Sequence, residues 1–328
     1  MQISQDHSFL LRAPGMLDRL RSRILYLESY RNGRLIPQLD ARDRALAEEL
    51  RDTGSIALEG VVAPDRLHVL QSEFDAALRE LAFEMPCLAQ TRVDPRRHAD
   101  LIDNQMYGSN AALEARGVTF SRAEAKNYEQ VVADFKPSTL TAYMLERSAA
   151  YREVWLDPRL LRIVSHYLGM VPKLSEAYVR RNFPAPFLTM NHYWHRDLNT
   201  PFHLLKAFIF LSDCDLSTGP HEFILQSHRD FETLNGKRYF GDEEVDRVVP
   251  PGHPRRLMSV VKAGTVILED TRGLHRARMP DAGTRDLGYA VYTPLRPFYP
   301  YRNYAFPRGA LAGLSSLQRA FLPESCLV

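Results

Sequence analysis

The sequence predicts a mainly β protein with α-helices, in which a jelly roll is covered by helices from the N-terminal half. The first half of the chain carries apolar residues at helical spacing. From about residue 174 it changes to short β-rich runs separated by Pro, Gly and Asp. Seven or eight such runs are typical of a sandwich or jelly roll and not of a parallel α/β sheet. We expect one domain over 1–328, with a mainly helical part (1–173), a jelly-roll core (174–295) and a C-terminal extension (296–328).

The helical part is predicted from apolar spacing and from helix start and stop residues. After Pro64, leucines and Phe74 recur every three or four residues, which is the period of one helix face. A further helix is expected to begin near Ser121 and to end before Pro137, and another to run from Pro158 to Gly169. Residues 86–120 show weak periodicity and high polarity, so we expect an irregular loop there that shapes the mouth of a site.

The β-rich second half contains the predicted strands. Each run is short, rich in β-branched and aromatic residues, and bounded by turn residues. The predicted strands lie near 175–183, 187–195, 204–212, 221–226, 257–262, 264–269 and 285–293.

Composition excludes several classes of protein. The 328 residues are 45% apolar and carry a formal net charge of +2, from 42 basic and 40 acidic side chains. Such a balance does not favour binding to nucleic acid or to a membrane surface, and no apolar run approaches the roughly 20 residues that span a bilayer. The three cysteines are widely spaced and include no C-x-x-C pair, so we expect no disulfide framework. The N-terminus shows no recognisable signal peptide. We therefore expect the protein to be located in the reducing cytoplasm.

The motif His-x-Asp occurs three times, and its context separates the three copies. Residues i and i+2 of a strand point to the same side, so His195 and Asp197 at a strand end would aim at one point. The predicted strand through 187–194 leads directly into this pair. The copy at 98–100 has no strand before it, and the copy at 228–230 lies in a predicted turn. We therefore expect the metal ligands to be His195 and Asp197.

A second histidine and an arginine complete the predicted site. His275 follows the β-rich run 262–270, and Arg285 opens another run ten residues later. Two histidines and one carboxylate leave three positions of an octahedral metal open, which is typical of non-haem iron oxygenases. An arginine can bind a carboxylate through two parallel hydrogen bonds, and Arg285 is favoured over Arg278 because it opens a strand.

These residues form an ordered set that resembles the phytanoyl-CoA dioxygenase family of 2-oxoglutarate oxygenases. One departure is Gln226, where the family usually has Gly. The resemblance implies a double-stranded β-helix of cupin-like type that binds Fe(II), 2-oxoglutarate and O₂, and it gives the metal-binding role to His195, Asp197 and His275 and the 2-oxoglutarate-binding role to Arg285. The retained Asp197 implies oxygenation, not halogenation. The blocks that carry the resemblance are 194–197, 206–213, 219–220, 226–229, 264–270, 273–275 and Arg285.

Further pocket residues are predicted from strand phase. Asn191 and Tyr193 are in phase with His195 and are expected to contact the cosubstrate. Tyr178 and Arg180 alternate along an early strand, and Phe208 lies on the next one; these three are expected to line the substrate pocket. Because several of these side chains are polar, we expect a small polar substrate, such as a biosynthetic intermediate that becomes hydroxylated with release of succinate and CO₂.

Two other classes of protein remain open at this level. One is a non-redox cupin-type metal enzyme, an isomerase or hydrolase on Zn²⁺ or Mn²⁺, which would need a further general acid or base. The other is a barrel that binds ligands without catalysis. The sequence does not define the substrate, the outcome among hydroxylation, desaturation and cyclisation, or the oligomeric state.

Overall fold

The structure is a computed structural model that describes residues 14–58, 61–81, 127–185, 188, 190–197, 203–230, 232–236, 239–294 and 304–328. The predicted loop at 86–120 lies outside these residues, as does the stretch 295–303 at the start of the predicted C-terminal extension.

Helices occupy most of the described N-terminal part. Short 3₁₀ turns are present at Asn32–Leu35, Met190–His192, Arg308–Gly313 and Glu324–Cys326. The described α-helices are α1 (Met16–Leu25), α2 (Leu27–Arg31), α3 (Ala41–Thr53), α4 (Pro64–Glu80), α5 (Tyr128–Phe135), α6 (Ala149–Trp155), α7 (Pro158–Leu168), α8 (Asp242–Asp246) and α9 (Ser316–Ala320).

Local chemistry defines the ends of α7. The Asp157 carboxylate accepts hydrogen bonds from the backbone N–H groups of Arg159 and Leu160, and Pro158 occupies the first turn, where its missing N–H costs nothing. The helix ends at Gly169, whose φ of +68° suits glycine. These are the signals on which the predicted start at Pro158 and end at Gly169 rested.

Two antiparallel sheets form a double-stranded β-helix. The six-stranded sheet has the order β1-β9-β5-β11-β3-β2, and the five-stranded sheet has the order β7-β4-β10-β6-β8. The fold is therefore mainly β with α-helices, as predicted. The strands are β1 (Ser55–Leu58), β2 (Thr139–Ala142), β3 (Lys173–Asn182), β4 (Trp194–His195), β5 (Leu205–Phe210), β6 (His221–Ile224), β7 (Tyr239–Phe240), β8 (Arg256–Met258), β9 (Val266–Glu269), β10 (His275–Ala277) and β11 (Arg285–Thr293).

The six-stranded sheet has two different faces because side chains alternate along each strand. One face packs into the large core that includes helical residues such as Trp155, and it contributes Ala207 and Ala290. The opposite face contributes Phe208 and Tyr289 to a second cluster inside the β-helix. The predicted substrate-pocket residues Tyr178, Arg180 and Phe208 belong to this interior face.

The structure corrects the predicted strand at 187–195. Among the residues of this range that the structure describes, Trp194–His195 is the one strand segment, and Met190–His192 is a 3₁₀ turn. The strand-phase argument for Asn191 and Tyr193 is therefore wrong. The reason is that β-propensity measures fit to a half-buried surface and not a backbone preference, so apolar and aromatic residues also occur in irregular segments.

Short strands were also missed. Within the part predicted as helical, β1 pairs with β9 and β2 pairs with β3 at the two edges of the six-stranded sheet. Each has four residues, too few to establish a period of two against the surrounding helical pattern. The two-residue β7 and the three-residue β10 were missed for the same reason.

One expected outcome concerns Gly219, in the turn before β6. Its φ is +74°, and a Cβ atom there would clash with the backbone oxygen of Arg278, just after β10. We expect Gly219→Ala to lower the free energy of unfolding by about 3 kcal/mol, from the left-handed backbone together with overpacking. The matched control is Gly252→Ala, because Gly252 has φ +81° with no atom of the described residues within 4 Å of the added Cβ; we expect a loss of about 1 kcal/mol there. Equal losses in urea titrations would contradict the packing role of Gly219.

Candidate metal centre

Neighbouring strands bring the two predicted histidines together. His195 ends β4, His275 begins β10, and the two residues are register partners in the antiparallel pair. Asp197 follows two residues later, and its backbone N–H donates to the carbonyl of Thr271 over 2.8 Å. That bond extends the contact between the two segments past the end of β4, so the carboxylate is placed beside both imidazoles.

The three side chains form a buried cluster with metal-ligand geometry. One potential ligand atom from each of His195, Asp197 and His275 lies within 4.8 Å of the other two. Nε2 of His275 is 3.4 Å from Oδ2 of Asp197, and the two imidazole centroids are 4.2 Å apart. In the part of the chain that the structure describes, this is the one group of three or more such side chains close enough to hold a metal ion.

Backbone carbonyls hold both imidazoles in an orientation suited to metal binding. Nδ1 of His195 lies 2.8 Å from the carbonyl oxygen of Tyr193, and Nδ1 of His275 lies 3.0 Å from that of Gly273. An Nδ1–H that donates to a carbonyl leaves the lone pair of Nε2 available for a metal, and such bonds fix the ring.

The electrostatics of the cluster favour deprotonated ligands. Burial, followed by the neighbouring His275, holds the pKa of His195 well below its usual value. Burial would raise the pKa of the Asp197 carboxyl, but the ammonium of Lys206 and the adjacent imidazoles outweigh burial and hold that pKa well below its usual range. Neutral imidazole and carboxylate are the forms that bind a metal.

Lys206 is a member of the site that sequence reasoning did not select. Its ammonium forms an ion pair with the carboxylate of Asp197, and both side chains are nearly buried. The signal was present, because Lys206 is in phase with Phe208 on β5 and must share its interior face. Its consequence is a fixed positive charge beside the predicted metal ligand.

Arg285 lies at the start of β11 and is 1% exposed. Among the described residues, its Nε and Nη1 atoms have no hydrogen-bond partner. Burial, with the nearby Arg180 acting in the same direction and Cys214 opposing it, lowers the pKa of Arg285 to about 10, so the guanidinium remains charged at neutral pH. The competing Arg278 is 39% exposed and has Glu222 at 3.7 Å.

Four of the five remaining predicted residues line one cavity beside the triad. Asn191 is exposed and lines this cavity, although it is not on a strand. Tyr193 is not among the lining residues, and its role here is the carbonyl that holds His195. The side chains that line the cavity are Tyr178, Arg180, Asn191, His195, Lys206, Phe208, His221, His275, Ala277 and Tyr289.

A second buried pair in the cavity wall was not predicted. Nε2 of His221 lies 2.7 Å from Oε1 of Glu269. Burial lowers the pKa of His221 to about 3, with Arg285 next in the same direction, whereas burial raises the pKa of Glu269 to about 8. Near neutral pH the pair therefore carries no net charge and shares one proton.

Arg196, between the predicted ligands His195 and Asp197, joins the segments around the site. Its guanidinium donates to the carbonyls of Ser227 at 2.7 Å and Arg272 at 2.9 Å, and it lies within 3.5 Å of two further carbonyls in the segment 230–233. Burial lowers the pKa of Arg196 to about 10. Because Arg272 precedes His275 by three residues, this side chain links the segments of both histidines.

We expect Arg196→Met to weaken metal binding by about 10- to 100-fold, which is the range for substitutions of residues that hold metal ligands in position. Chelator competition with Co²⁺ measures the affinity directly. Arg255→Met is the matched control. Arg255 donates to the carbonyl of Leu225 at 3.0 Å, close in the chain to the Ser227 carbonyl that Arg196 contacts, but none of its described hydrogen bonds reaches the segment before His275. Equal affinities in the two variants would show that Arg196 does not position the ligands.

A buried His-Asp-His cluster inside a double-stranded β-helix defines the class of mononuclear metal enzymes to which non-haem iron oxygenases belong. The sequence model of the family described as "Phytanoyl-CoA dioxygenase (PhyH)" matches residues 50–279, and the chain belongs to this family. It is a 2-oxoglutarate-dependent non-haem iron oxygenase whose cofactors are Fe(II), 2-oxoglutarate and O₂. The resemblance inferred from the motifs is thereby confirmed.

Solved structures with a similar fold include three at low identity. HygX from Streptomyces hygroscopicus, with nickel, 2-oxoglutarate and hygromycin B bound, has 19% identity and a TM-score of 0.46, covering 78% of this chain and 88% of that one. EctD from S. alaskensis, with 2-oxoglutarate and 5-hydroxyectoine, has 19% identity and a TM-score of 0.49, covering 78% and 76%. The epimerase SnoN, in complex with Fe³⁺, alpha ketoglutarate and nogalamycin RO, has 18% identity and a TM-score of 0.48, covering 78% and 87%. No curated protein matches the chain in sequence.

No helix in the described part of the chain combines the length and apolar character needed to cross a membrane.

Proposed function

We propose that this oxygenase hydroxylates a small polar molecule, a biosynthetic intermediate, with release of succinate and CO₂. The observation that carries the proposal is the buried Arg285, whose Nε and Nη1 atoms lack partners among the described residues. A buried charge without a partner is costly, and a carboxylate that accepts two parallel hydrogen bonds from the guanidinium would offset that cost.

His195 and His275, through Nε2, and the carboxylate of Asp197 would hold Fe(II). The fit rests on the donor set: two imidazoles with Nδ1 turned to carbonyls, one carboxylate with a lowered pKa, and mutual distances within 4.8 Å. When bound, the metal supplies the activation of O₂ that couples decarboxylation of 2-oxoglutarate to oxidation of a substrate C–H bond.

Arg285 would bind the far carboxylate of 2-oxoglutarate and so fix the orientation of the cosubstrate. The nearby Arg180 adds a second positive charge on that side, and this charge contributes to the lowered pKa of Arg285. Asn191 and Tyr193, which precede the metal ligands in the chain, are proposed to contact the same molecule. Lys206 would keep the Asp197 carboxylate in place through the ion pair between them.

The substrate would enter beside Tyr178, Arg180 and Phe208. All three line the cavity that contains the two histidines, and the polar Asn191 lies at its exposed side. A cavity with both aromatic and charged walls suits a small molecule with an apolar edge and at least one polar or anionic group.

The buried thiols of Cys214 and Cys326 form no disulfide and support a location in the cytoplasm.

The test is an anaerobic titration of the protein with Fe(II) and then with 2-oxoglutarate, followed by visible absorbance. We expect a weak charge-transfer band that requires both additions. A tightly bound metal without this band would favour a non-redox isomerase or hydrolase, and the absence of metal binding would favour a barrel that only binds ligands. Succinate release across a panel of amino acids, sugars and nucleosides then tests the substrate class. Stimulation only by long aliphatic compounds would contradict the proposal of a polar substrate.

A further inference from the structure

Three tyrosines form a continuous line of ring contacts on neighbouring strands. Tyr289 lies on β11, Tyr178 on β3, and Tyr143 directly after β2. The rings of Tyr178 and Tyr289 are stacked at 4.6 Å, and those of Tyr143 and Tyr178 form an edge contact at 6.2 Å. The line therefore crosses three adjacent strands of the six-stranded sheet.

The inner end of the line lies at the metal centre. Tyr289 is 8% exposed and lines the same cavity as His195 and His275. Ring contacts also connect it to the ligand His275 through Phe208 at 5.7 Å and then His221, whose ring lies 4.9 Å from Phe208 and 5.5 Å from His275. From Tyr143 to His275, the ring centroids of each neighbouring pair are therefore 6.2 Å apart or less.

The outer end of the line reaches solvent. Exposure rises from Tyr289 through the half-buried Tyr178 to Tyr143, which is 39% exposed. Tyrosine is among the side chains that are most readily oxidised by one electron, and electron transfer is fast between rings in contact because its rate falls steeply with distance. The arrangement joins an oxidising centre to the surface through side chains that can be oxidised in turn.

We propose that Tyr289, Tyr178 and Tyr143 form a redox relay that reduces the metal centre when O₂ has been activated but no substrate has been oxidised. The inference rests on the proposed function, because the oxidant arises from O₂ and 2-oxoglutarate. A tyrosine relay reduces that oxidant, and the ligand histidines and the side chains of the cavity wall are then not oxidised.

The relay balances in electrons and protons. Decarboxylation of 2-oxoglutarate uses one oxygen atom of O₂ to make succinate and CO₂, and the second atom leaves as water after accepting two electrons and two protons. Each oxidation of Tyr289 supplies one electron and one phenolic proton. An electron and a proton from Tyr178 restore Tyr289, and Tyr143 restores Tyr178 in the same way. An external reductant of the ascorbate class then returns one electron to Tyr143, and a proton from solvent completes its phenol. Two such passages return the centre to its reduced form.

Charges around Tyr289 support oxidation with loss of the phenolic proton. Arg180 lies 5.7 Å and Lys206 lies 5.1 Å from the centroid of its ring. These two cations oppose a positively charged ring, so the neutral phenoxyl radical is the favoured product. A side-chain hydrogen bond links Tyr289 to Tyr178 and provides the first step for the proton.

The experiment uses the full-length protein loaded anaerobically with Fe(II) and 2-oxoglutarate and then mixed with O₂ in the absence of other substrate. Rapid-freeze electron paramagnetic resonance detects tyrosyl radical, and peptide mass spectrometry locates oxidised side chains. The variants Tyr178→Phe and Tyr143→Phe keep the rings and remove the phenolic group. Tyr239→Phe is the matched comparison, because Tyr239 also lies close to a ligand, 6.0 Å from the ring of His195.

We expect tyrosyl radical in the wild-type protein. With ascorbate present, we expect several-fold fewer 2-oxoglutarate turnovers before inactivation in Tyr178→Phe and Tyr143→Phe, and more oxidised cavity residues. Tyr239→Phe should behave as wild type. Wild-type survival in both relay variants, or a loss confined to Tyr239→Phe, would overturn the relay. The anaerobic charge-transfer band is recorded first for every variant: its absence in the wild type defeats the proposed function, whereas its presence with unchanged survival defeats the relay alone.

Discussion

Arg285→Met is expected to weaken 2-oxoglutarate binding by about 100-fold, which corresponds to about 2.7 kcal/mol. The guanidinium is buried, and its Nε and Nη1 atoms lack partners within the described protein, so we expect it to bind a carboxylate through two parallel hydrogen bonds. The charge-transfer titration measures this loss. Arg285→Lys should recover little, because a lysine keeps the charge but cannot form two parallel hydrogen bonds.

The same substitution should stabilise the protein in the absence of cosubstrate. Removing a buried charge that lacks a partner, and filling its place with an apolar side chain, is expected to raise the free energy of unfolding by about 1–3 kcal/mol. Arg278→Met is the control, because Arg278 is 39% exposed and near Glu222; it should change neither quantity greatly. Undiminished 2-oxoglutarate binding in Arg285→Met, with loss in Arg278→Met, would transfer the cosubstrate role to Arg278.

Asp197→Ala is expected to weaken metal binding by more than about 100-fold, because it removes a predicted ligand and not a residue that only holds a ligand in position. It also leaves the ammonium of Lys206 without the carboxylate that it contacts. Since both side chains are nearly buried, we expect a loss of about 3 kcal/mol in the free energy of unfolding. Chelator competition and urea titration measure the two effects separately.

The double variant Asp197→Ala/Lys206→Met separates folding from metal binding. With the unpaired charge removed, stability should return to near the wild-type value while metal binding remains lost. If the double variant bound metal as tightly as wild type, Asp197 would not be a ligand. If it stayed as unstable as Asp197→Ala, the instability would not arise from Lys206.

The interior of the β-helix holds more ionisable side chains than an ordinary core. Lys206, Arg285 and Glu269 all point into it from the six-stranded sheet, opposite the histidines of the five-stranded sheet. Burying such groups is unfavourable unless they are paired or serve a ligand. One sheet thus supplies ionisable side chains, the other supplies the two imidazoles predicted to bind the metal, and the cavity lies between them.

Local patterns in the sequence determined the parts of this protein whose physics is local. The spacing of His195 and Asp197, the β-rich run before His275 and the position of Arg285 at a strand start each depend on neighbours in the chain. The ends of the helix at 158–168 were predictable for the same reason, because a helix cap is made by residues within one turn.

Only the tertiary structure decided which distant groups meet. Register places His195 opposite His275, although 80 residues separate them, and it brings Lys206 to Asp197 and Glu269 to His221. These pairings depend on which strands become neighbours, which no period along the chain encodes. The residues after 187 show the converse, because their apolar character predicted a strand where packing placed a 3₁₀ turn at Met190–His192.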